Sequence, residues 1–340
     1  MKSKKFINAG SLTWMLVLSL ILVACAPAAV EMPVTGKKVS SFQESSAMSE
    51  SSVEVISSAG GSSAMAEDVM KPAEPGEAEQ TLEDSDASIR AYEKRVLSGE
   101  NFTTNLFERP FTSGEMLYLP DLNILTASIA NDEIFFYFTL QLDGLNANNQ
   151  LSGTYSIEFD RDKDGRGDLL VSASSPREEW SMQDVSILKD MDLDVGGEKP
   201  MLAEVFQGGN GYEGAVENKG LAYARLTPDQ EASLQIAVSH SLVEVQEFLW
   251  GAWADAGLRK PVLFDYHDAF TKREAGMAIR DDEDYPLKAV AELDNTCRKA
   301  YNFSASAGIP GLCISLPKKE PREPQRVPPP PRQPPGTAPG

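Results

Sequence analysis

The stretch Asp160-Arg161-Asp162-Lys163-Asp164-Gly165-Arg166-Gly167-Asp168 has carboxylates at its first, third, fifth and ninth positions and a glycine at its sixth. Hard cations such as Ca²⁺ gather six to eight oxygens at about 2.3–2.6 Å. A tight loop can aim alternate side chains at one point, and Gly165 permits the positive φ that so sharp a reversal requires. The backbone carbonyl of Arg166 offers a further oxygen, and Asp168 can ligate directly or through water. Asp160, Asp162, Asp164, Arg166 and Asp168 are therefore the candidate ligands of a Ca²⁺ ion. The alternative is a polar Asp/Gly turn without metal, in which four carboxylates in nine residues repel one another.

Position twelve of this run is Val171, where a helix–loop–helix calcium site carries a bidentate glutamate. The flanks, Thr154-Tyr155-Ser156-Ile157-Glu158-Phe159 and Leu169-Leu170-Val171, have strand character. The segment resembles the D-x-D-x-D-G-x-x-D calcium loop of integrin-type repeats and related extracellular modules, set here in a β-hairpin. The resemblance covers about a dozen residues in a single copy, so it implies no repeat-built propeller. It implies a structural ion with a dissociation constant of about 10⁻⁴–10⁻³ M. A second acidic run, Asp190-Met191-Asp192-Leu193-Asp194, alternates with apolar residues and reads first as a strand with one wet face, with a second metal as the alternative. Asp281-Asp282-Glu283-Asp284 reads as a helix start, where acids favour the dipole.

Trp250, Trp253, Tyr266 and Asp268 form an aromatic and polar group close in sequence. Exposed rings of this kind stack on sugars, and Asp268 can bind hydroxyls. The alternation of a strand puts Trp250 and Trp253 on opposite faces, so at least one belongs in the core. Trp180 beside Glu178 and Glu179 is a weaker candidate. The chain has two histidines, His240 and His267, and neither an H-E-x-x-H nor a G-x-S-x-G motif. Paired acids suited to glycoside hydrolysis are not separable from the general abundance of acid. No catalytic residue is assigned.

The first 24 residues read as an export signal. Lys2, Lys4 and Lys5 precede an apolar run from Leu12 to Ala24, which is too short for a membrane span and right for a signal peptide. The run ends in Leu22-Val23-Ala24-Cys25. This is similar to the lipobox of bacterial lipoproteins, which implies cleavage before Cys25, a diacylglycerol on its thiol, and an anchored protein on the extracytoplasmic face of the cell membrane. Acyl chains anchor at about 0.8 kcal/mol per buried methylene, so no spanning helix is needed. An ordinary secretory signal cut near Ala26 or Ala28 is the alternative.

Composition then divides the chain. Residues 25–95 are rich in Ser, Ala, Glu and Gly and read as a disordered stalk, with a short helix allowed around Leu82–Leu97. Residues 317–340 read as a disordered, proline-rich tail, extended at Val327-Pro328-Pro329-Pro330-Pro331. Residues 96–316 are the part able to bury a core. The formal net charge of −20 argues against nucleic acid and anionic lipid as partners of the domain face, and the alternative reading of the acid is that it keeps the protein in solution. Export leaves Cys297 and Cys313 as a pair in an oxidising compartment, and they are expected to be bonded.

Within 96–316 the hydrophobic period is mostly two. Strands are expected at Leu122–Ala130, Glu133–Leu142, Thr154–Phe159, Leu169–Ala173, Val185–Leu188, Met201–Phe206, Leu221–Leu226, Ala232–Ser239 and Phe248–Ala254. Ser241 caps a helical turn through Gln246, and Pro286, Leu287, Val290, Leu293 and Cys297 have the spacing of a helix. The fold class is all-β, an antiparallel β-sandwich with one or two short helices. At that level the aromatic hairpin at 133–142 and the strand entering the acidic glycine loop at 160–168 resemble family 9 carbohydrate-binding modules and DOMON domains. The resemblance covers about a third of the chain and carries over no ligand residue. It implies a binding module for glycan or envelope polymer. The rivals are a scaffold or adhesion lipoprotein that binds other envelope proteins, and an extracellular hydrolase.

Overall fold

The computed structural model describes residues 70–191, 195, 211–260, 263 and 266–313. Cys25, the proline-rich tail and the strand expected at Met201–Phe206 lie outside them.

Among the described residues, thirteen strands build two antiparallel sheets. The strands are β1 (Gln80–Glu83), β2 (Glu108–Arg109), β3 (Ile124–Asn131), β4 (Phe135–Leu142), β5 (Thr154–Asp160), β6 (Leu169–Ser174), β7 (Val185–Lys189), β8 (Gly214–Val216), β9 (Ala222–Leu226), β10 (Ser233–Ser239), β11 (Phe248–Asp255), β12 (Leu293–Asn295) and β13 (Lys299–Tyr301). The first sheet runs β1-β3-β4-β10-β9. The second runs β2-β12-β11-β5-β6-β7-β8, with β13 also on β11.

The two sheets share one core, and the alternation of each strand decides what enters it. In β4, Phe136, Phe138, Leu140 and Leu142 face inward, while Phe135 and Tyr137 pack with Tyr223 on the other face. Phe138 meets the edges of Phe159 and Trp250, at 5.3 Å in each case. The β3–β4 turn is held by Asp132, whose carboxylate accepts from the Ile134 and Phe135 amides.

The second sheet is also covered on its outer face. Leu170, Trp253 and Leu293 point away from the other sheet and are packed under Phe107, Tyr266, Met277 and Val290. This explains why β11 is apolar at nearly every position: all eight of its residues are buried. Burying each large apolar side chain contributes about 1.5–3 kcal/mol.

Five expectations need correction, the last of them the cap of a helical turn. Residues 70–95 belong to the folded body rather than to the stalk. Leu82 lies in the inter-sheet core opposite Ala127, and β1 is an edge strand that gains main-chain hydrogen bonds from β3. A 3₁₀ segment at Ala87–Glu93, capped by Asp86 onto the Ser88 amide, replaces the helix allowed at 82–97. There is no helix from Pro286. Leu287 bridges to Gly276, and β12 pairs with β11, so neighbouring strands take the backbone hydrogen bonds that a helix would need. Asp281–Asp284 is a turn whose acids pair with Lys272 and Lys288.

The α-helices among the described residues are single turns: α1 (His240–Val243), α2 (Tyr266–Ala269) and α3 (Lys272–Ala275). Ser239, not Ser241, caps α1. Cys297 and Cys313 are bonded, fixing the chain after β13 against Arg298 through paired backbone hydrogen bonds.

Candidate functional site

The acidic loop closes the β5–β6 hairpin. Asp160 ends β5, and the Asp168 amide donates to the Phe159 carbonyl at 2.8 Å. Asp160 is fully buried, and its two oxygens accept from the Lys163 and Gly165 amides at 2.6 and 2.7 Å. Asp168 accepts from the Arg161 and Asp162 amides, at 2.5 and 3.3 Å. These backbone bonds turn Asp160 and Asp168 toward each other. One carboxylate oxygen from each of Asp160, Asp162 and Asp168 falls within 4.8 Å of the other two.

Asp164 stands outside this group. It is exposed, accepts from the Arg166 amide, and faces the Arg166 guanidinium at 3.7 Å. Gly165 is required twice over. Its φ is +95°, and a Cβ there would meet Pro310 Cδ at 2.7 Å and Ile309 Cγ2 at 2.9 Å. The disulfide-tethered segment thus sits directly on the loop.

Burial pushes the Asp160 carboxyl up to about 7, against the Gly165 amide and Arg298, which oppose the shift. Burial likewise raises Asp164 and Asp168, and the charge of Asp162 adds to both. A bound cation reverses that direction. The donor set is all oxygen, which suits a hard ion, and oxygens on opposite sides of Ca²⁺ lie about 5 Å apart. Asp160, Asp162 and Asp168 are thus a group able to hold a hard metal ion. Beneath the loop, Glu158 accepts from Arg298 at 2.9 Å, Tyr212 at 3.2 Å and the Trp253 indole at 3.1 Å.

The aromatic candidates do not form an exposed platform. Trp250 lies between the sheets and Trp253 under the outer cover, with 0% and 1% exposure. They do occupy opposite faces of β11, as alternation requires. Tyr266 is buried and donates to Asp255. Asp268 lies in α2.

Where the outer cover ends, the second sheet keeps an open groove of about 210 Å³. Hydroxyls of Thr154, Ser156, Ser172, Ser174 and Ser186 line it together with Leu170 and Leu188, and Asp255 and Arg259 add charge. Thr154 shares a hydrogen bond with Ser174, and Ser156 with Ser172. A wider hollow of about 820 Å³ lies beside β9 and β10, lined by Glu74, Glu178, Arg225, Thr227 and Asp229 among others. Arg225 there is already paired with Glu74 at 2.6 Å and lies over the Trp180 ring.

A second gathering of carboxylates, Asp84, Glu108 and Asp294, escapes sequence reading. Its members come from three distant segments, and none sits in a local motif. The one available signal is an acid in a stretch that pairs as strand, such as Asp294 between Leu293 and Asn295. Comparison of the chain with protein families, curated proteins and solved structures finds no match.

Proposed function

We propose that this chain is a lipid-anchored surface lipoprotein whose Ca²⁺-stabilised sandwich serves as a binding module for glycan or envelope polymer. The anchor reading rests on the residues that end in Cys25. Among the described residues no helix is long and apolar enough to cross a membrane. The binding reading rests on the groove over β5, β6 and β7. Its hydroxyls, with Asp255 and Arg259, offer the mixed donors and acceptors that a polyhydroxylated ligand requires. Recognition there is by hydrogen bonding to the groove, since Trp250 and Trp253 are inside the body. The volume suits one or two sugar rings of a longer chain laid across the sheet.

A glycan array probed with the processed chain tests this. Ser186 is exposed, so Ser186→Tyr fills the groove without touching either core. The expected result is binding to a class of polysaccharide in the parent and at least a tenfold loss in the variant, at an unchanged melting midpoint. Binding at background, or binding that Ser186→Tyr leaves intact, ends the glycan reading. Labelling with a fatty acid precursor tests the anchor: the parent takes label and Cys25→Ala does not. The rival scaffold reading rests on the proline-rich segment 317–340, and a pull-down from intact envelope that depends on that segment would favour it.

A further inference from the structure

Asp84 follows β1, the edge strand of the first sheet, whereas Glu108 and Asp294 lie on β2 and β12 of the second. Glu108 and Asp294 are direct cross-strand partners. Like charges in that position oppose pairing, and here both are buried, at 2% and 0% exposure. One oxygen from each of Asp84, Glu108 and Asp294 lies within 4.8 Å of the other two.

The local hydrogen bonding leaves this cluster incomplete. Asp294 Oδ2 accepts from the Ile124 amide at 2.7 Å. Asp84 Oδ2, Glu108 Oε2 and Asp294 Oδ1 are buried with no partner at all. Arg109, the nearby guanidinium, is committed elsewhere: it forks onto Glu100, at 2.7 Å, and donates to the Ala275 and Val290 carbonyls. Among the described residues no ion pair reaches Asp84, Glu108 or Asp294. The chain also closes tightly over the site. Gly99 has a φ of +93°, and a Cβ there would stand 2.0 Å from Glu108 Oε1 and 2.5 Å from Ser85 Oγ. Three carboxylates with buried, unused oxygens and no basic partner need a positive ion or protons.

We propose that Asp84, Glu108 and Asp294 form an interior site for a hard divalent cation, Ca²⁺ by preference, that ties the edge of one sheet to the edge of the other. The donor set favours Ca²⁺: it is all carboxylate oxygen in an irregular arrangement, which Ca²⁺ accepts with six to eight oxygens, whereas Mg²⁺ demands a near-ideal octahedron and keeps several waters. The ion neutralises the Glu108–Asp294 repulsion, takes up the unused oxygens, and fastens the N-terminal strand to the larger sheet. This site is independent of the Asp160–Asp168 loop. Burial first, and then neighbouring acids, raise Glu108 and Asp294 well above the carboxylate range when no cation is near.

The test counts Ca²⁺ retained by the full chain after dialysis against a buffered Ca²⁺ solution. Five proteins are compared: the parent, Asp84→Asn, Glu108→Gln, Asp162→Asn and the double variant of Asp84→Asn with Asp162→Asn. Asp84→Asn is chosen because Asp84 is only half-buried, so the fold should tolerate the isosteric change, and Glu108→Gln serves as a second probe. Asp84→Asn should hold one equivalent fewer than the parent, and the double variant should lose one more with the loop. Equal Ca²⁺ content in the parent, Asp84→Asn and Glu108→Gln overturns the proposal. So does an infrared band of protonated carboxyl that persists at saturating Ca²⁺ and vanishes in Glu108→Gln, because the cluster then shares protons. If the loop does not bind, Asp162→Asn matches the parent while Asp84→Asn still falls short.

Discussion

The two carboxylate clusters differ in how the chain assembles them and in what the backbone gives them. In the loop at 160–168 the acids are neighbours in sequence, and the turn that gathers them also supplies amides to Asp160 and Asp168. That cluster is partly satisfied before any ion arrives. Asp84, Glu108 and Asp294 meet only when both sheets have formed, and three of their oxygens have no donor. An ion at the first site adds to a structure already tied, whereas an ion at the second completes one that is electrostatically unfinished. Proximity in sequence makes a site easy to see, and the deficit of partners decides how much the fold depends on its occupant.

The largest effect separates the clusters through the disulfide. Replacing both Cys297 and Cys313 by Ser should lower stability by about 3 kcal/mol. That corresponds to roughly 10 °C in a melt of a domain this size. It also frees Ile309 and Pro310 from Gly165, so the Ca²⁺ response of the loop should weaken while that of Asp84, Glu108 and Asp294 stays. Calorimetry with and without Ca²⁺ reads both. An equal loss at the two sites would show that they are coupled.

The second effect reverses sign with Ca²⁺. Under chelator, Glu108→Gln removes a buried acid that burial and Asp294 disfavour as an anion, and it should raise the stability measured in urea by about 2 kcal/mol, on the scale of an unsatisfied buried group. With Ca²⁺ the same variant should be the less stable protein. In Asp162→Asn the side chain is exposed, so no gain under chelator is expected. A stabilised Asp162→Asn would erase the contrast between the clusters.

Third, Gly165→Ala should cost about 1–2 kcal/mol, since the residue holds a left-handed φ under Pro310. The loss should persist under chelator, because the strain is in the backbone and not in the ligands.

The smallest effect is a control outside both clusters. His240 lies over Phe136 at 4.2 Å, and burial lowers its pKa, with Asp132 opposing. A folded pKa below the unfolded value of about 6.5 means that the unfolded chain takes the proton first. Stability should therefore fall as pH drops below about 6.5, in the presence of saturating Ca²⁺, and His240→Gln should flatten that slope. Urea titrations at a series of pH values check it.

Much of the sandwich was legible because its strands bury one face. Phe136, Phe138 and Leu140 alternate with partners on the other side, and the turns at Asp132 and Asp160–Asp168 carry their own hydrogen-bonding side chains. The bonded pair Cys297–Cys313 was legible from parity and from the export expected of residues 1–24. What was not legible depends on partners far along the chain. β1 has a single core residue, Leu82, and is a strand only because β3 offers an edge. Leu287, Val290 and Leu293 have helical spacing, yet Leu287 joins Phe111 and Ala278 while the other two join Trp253 and Tyr266. The two tryptophans were placed on the correct opposite faces, but a cover over the outer face cannot be read from β11 itself. For the same reason Asp84, Glu108 and Asp294 carry no signature: their chemistry is made by the packing of two sheets.

The central claim is that the bend at 160–168 holds Ca²⁺. The direct test is the heat-induced unfolding of the chelator-treated full chain, with and without Ca²⁺, in the parent and in Asp162→Asn. At a hundredfold excess over the dissociation constant, one site stabilises by about 2.7 kcal/mol. The account predicts a Ca²⁺-dependent rise in the parent that is smaller in Asp162→Asn by the contribution of this one site. Equal rises in the two proteins, or no rise in the parent, would contradict it.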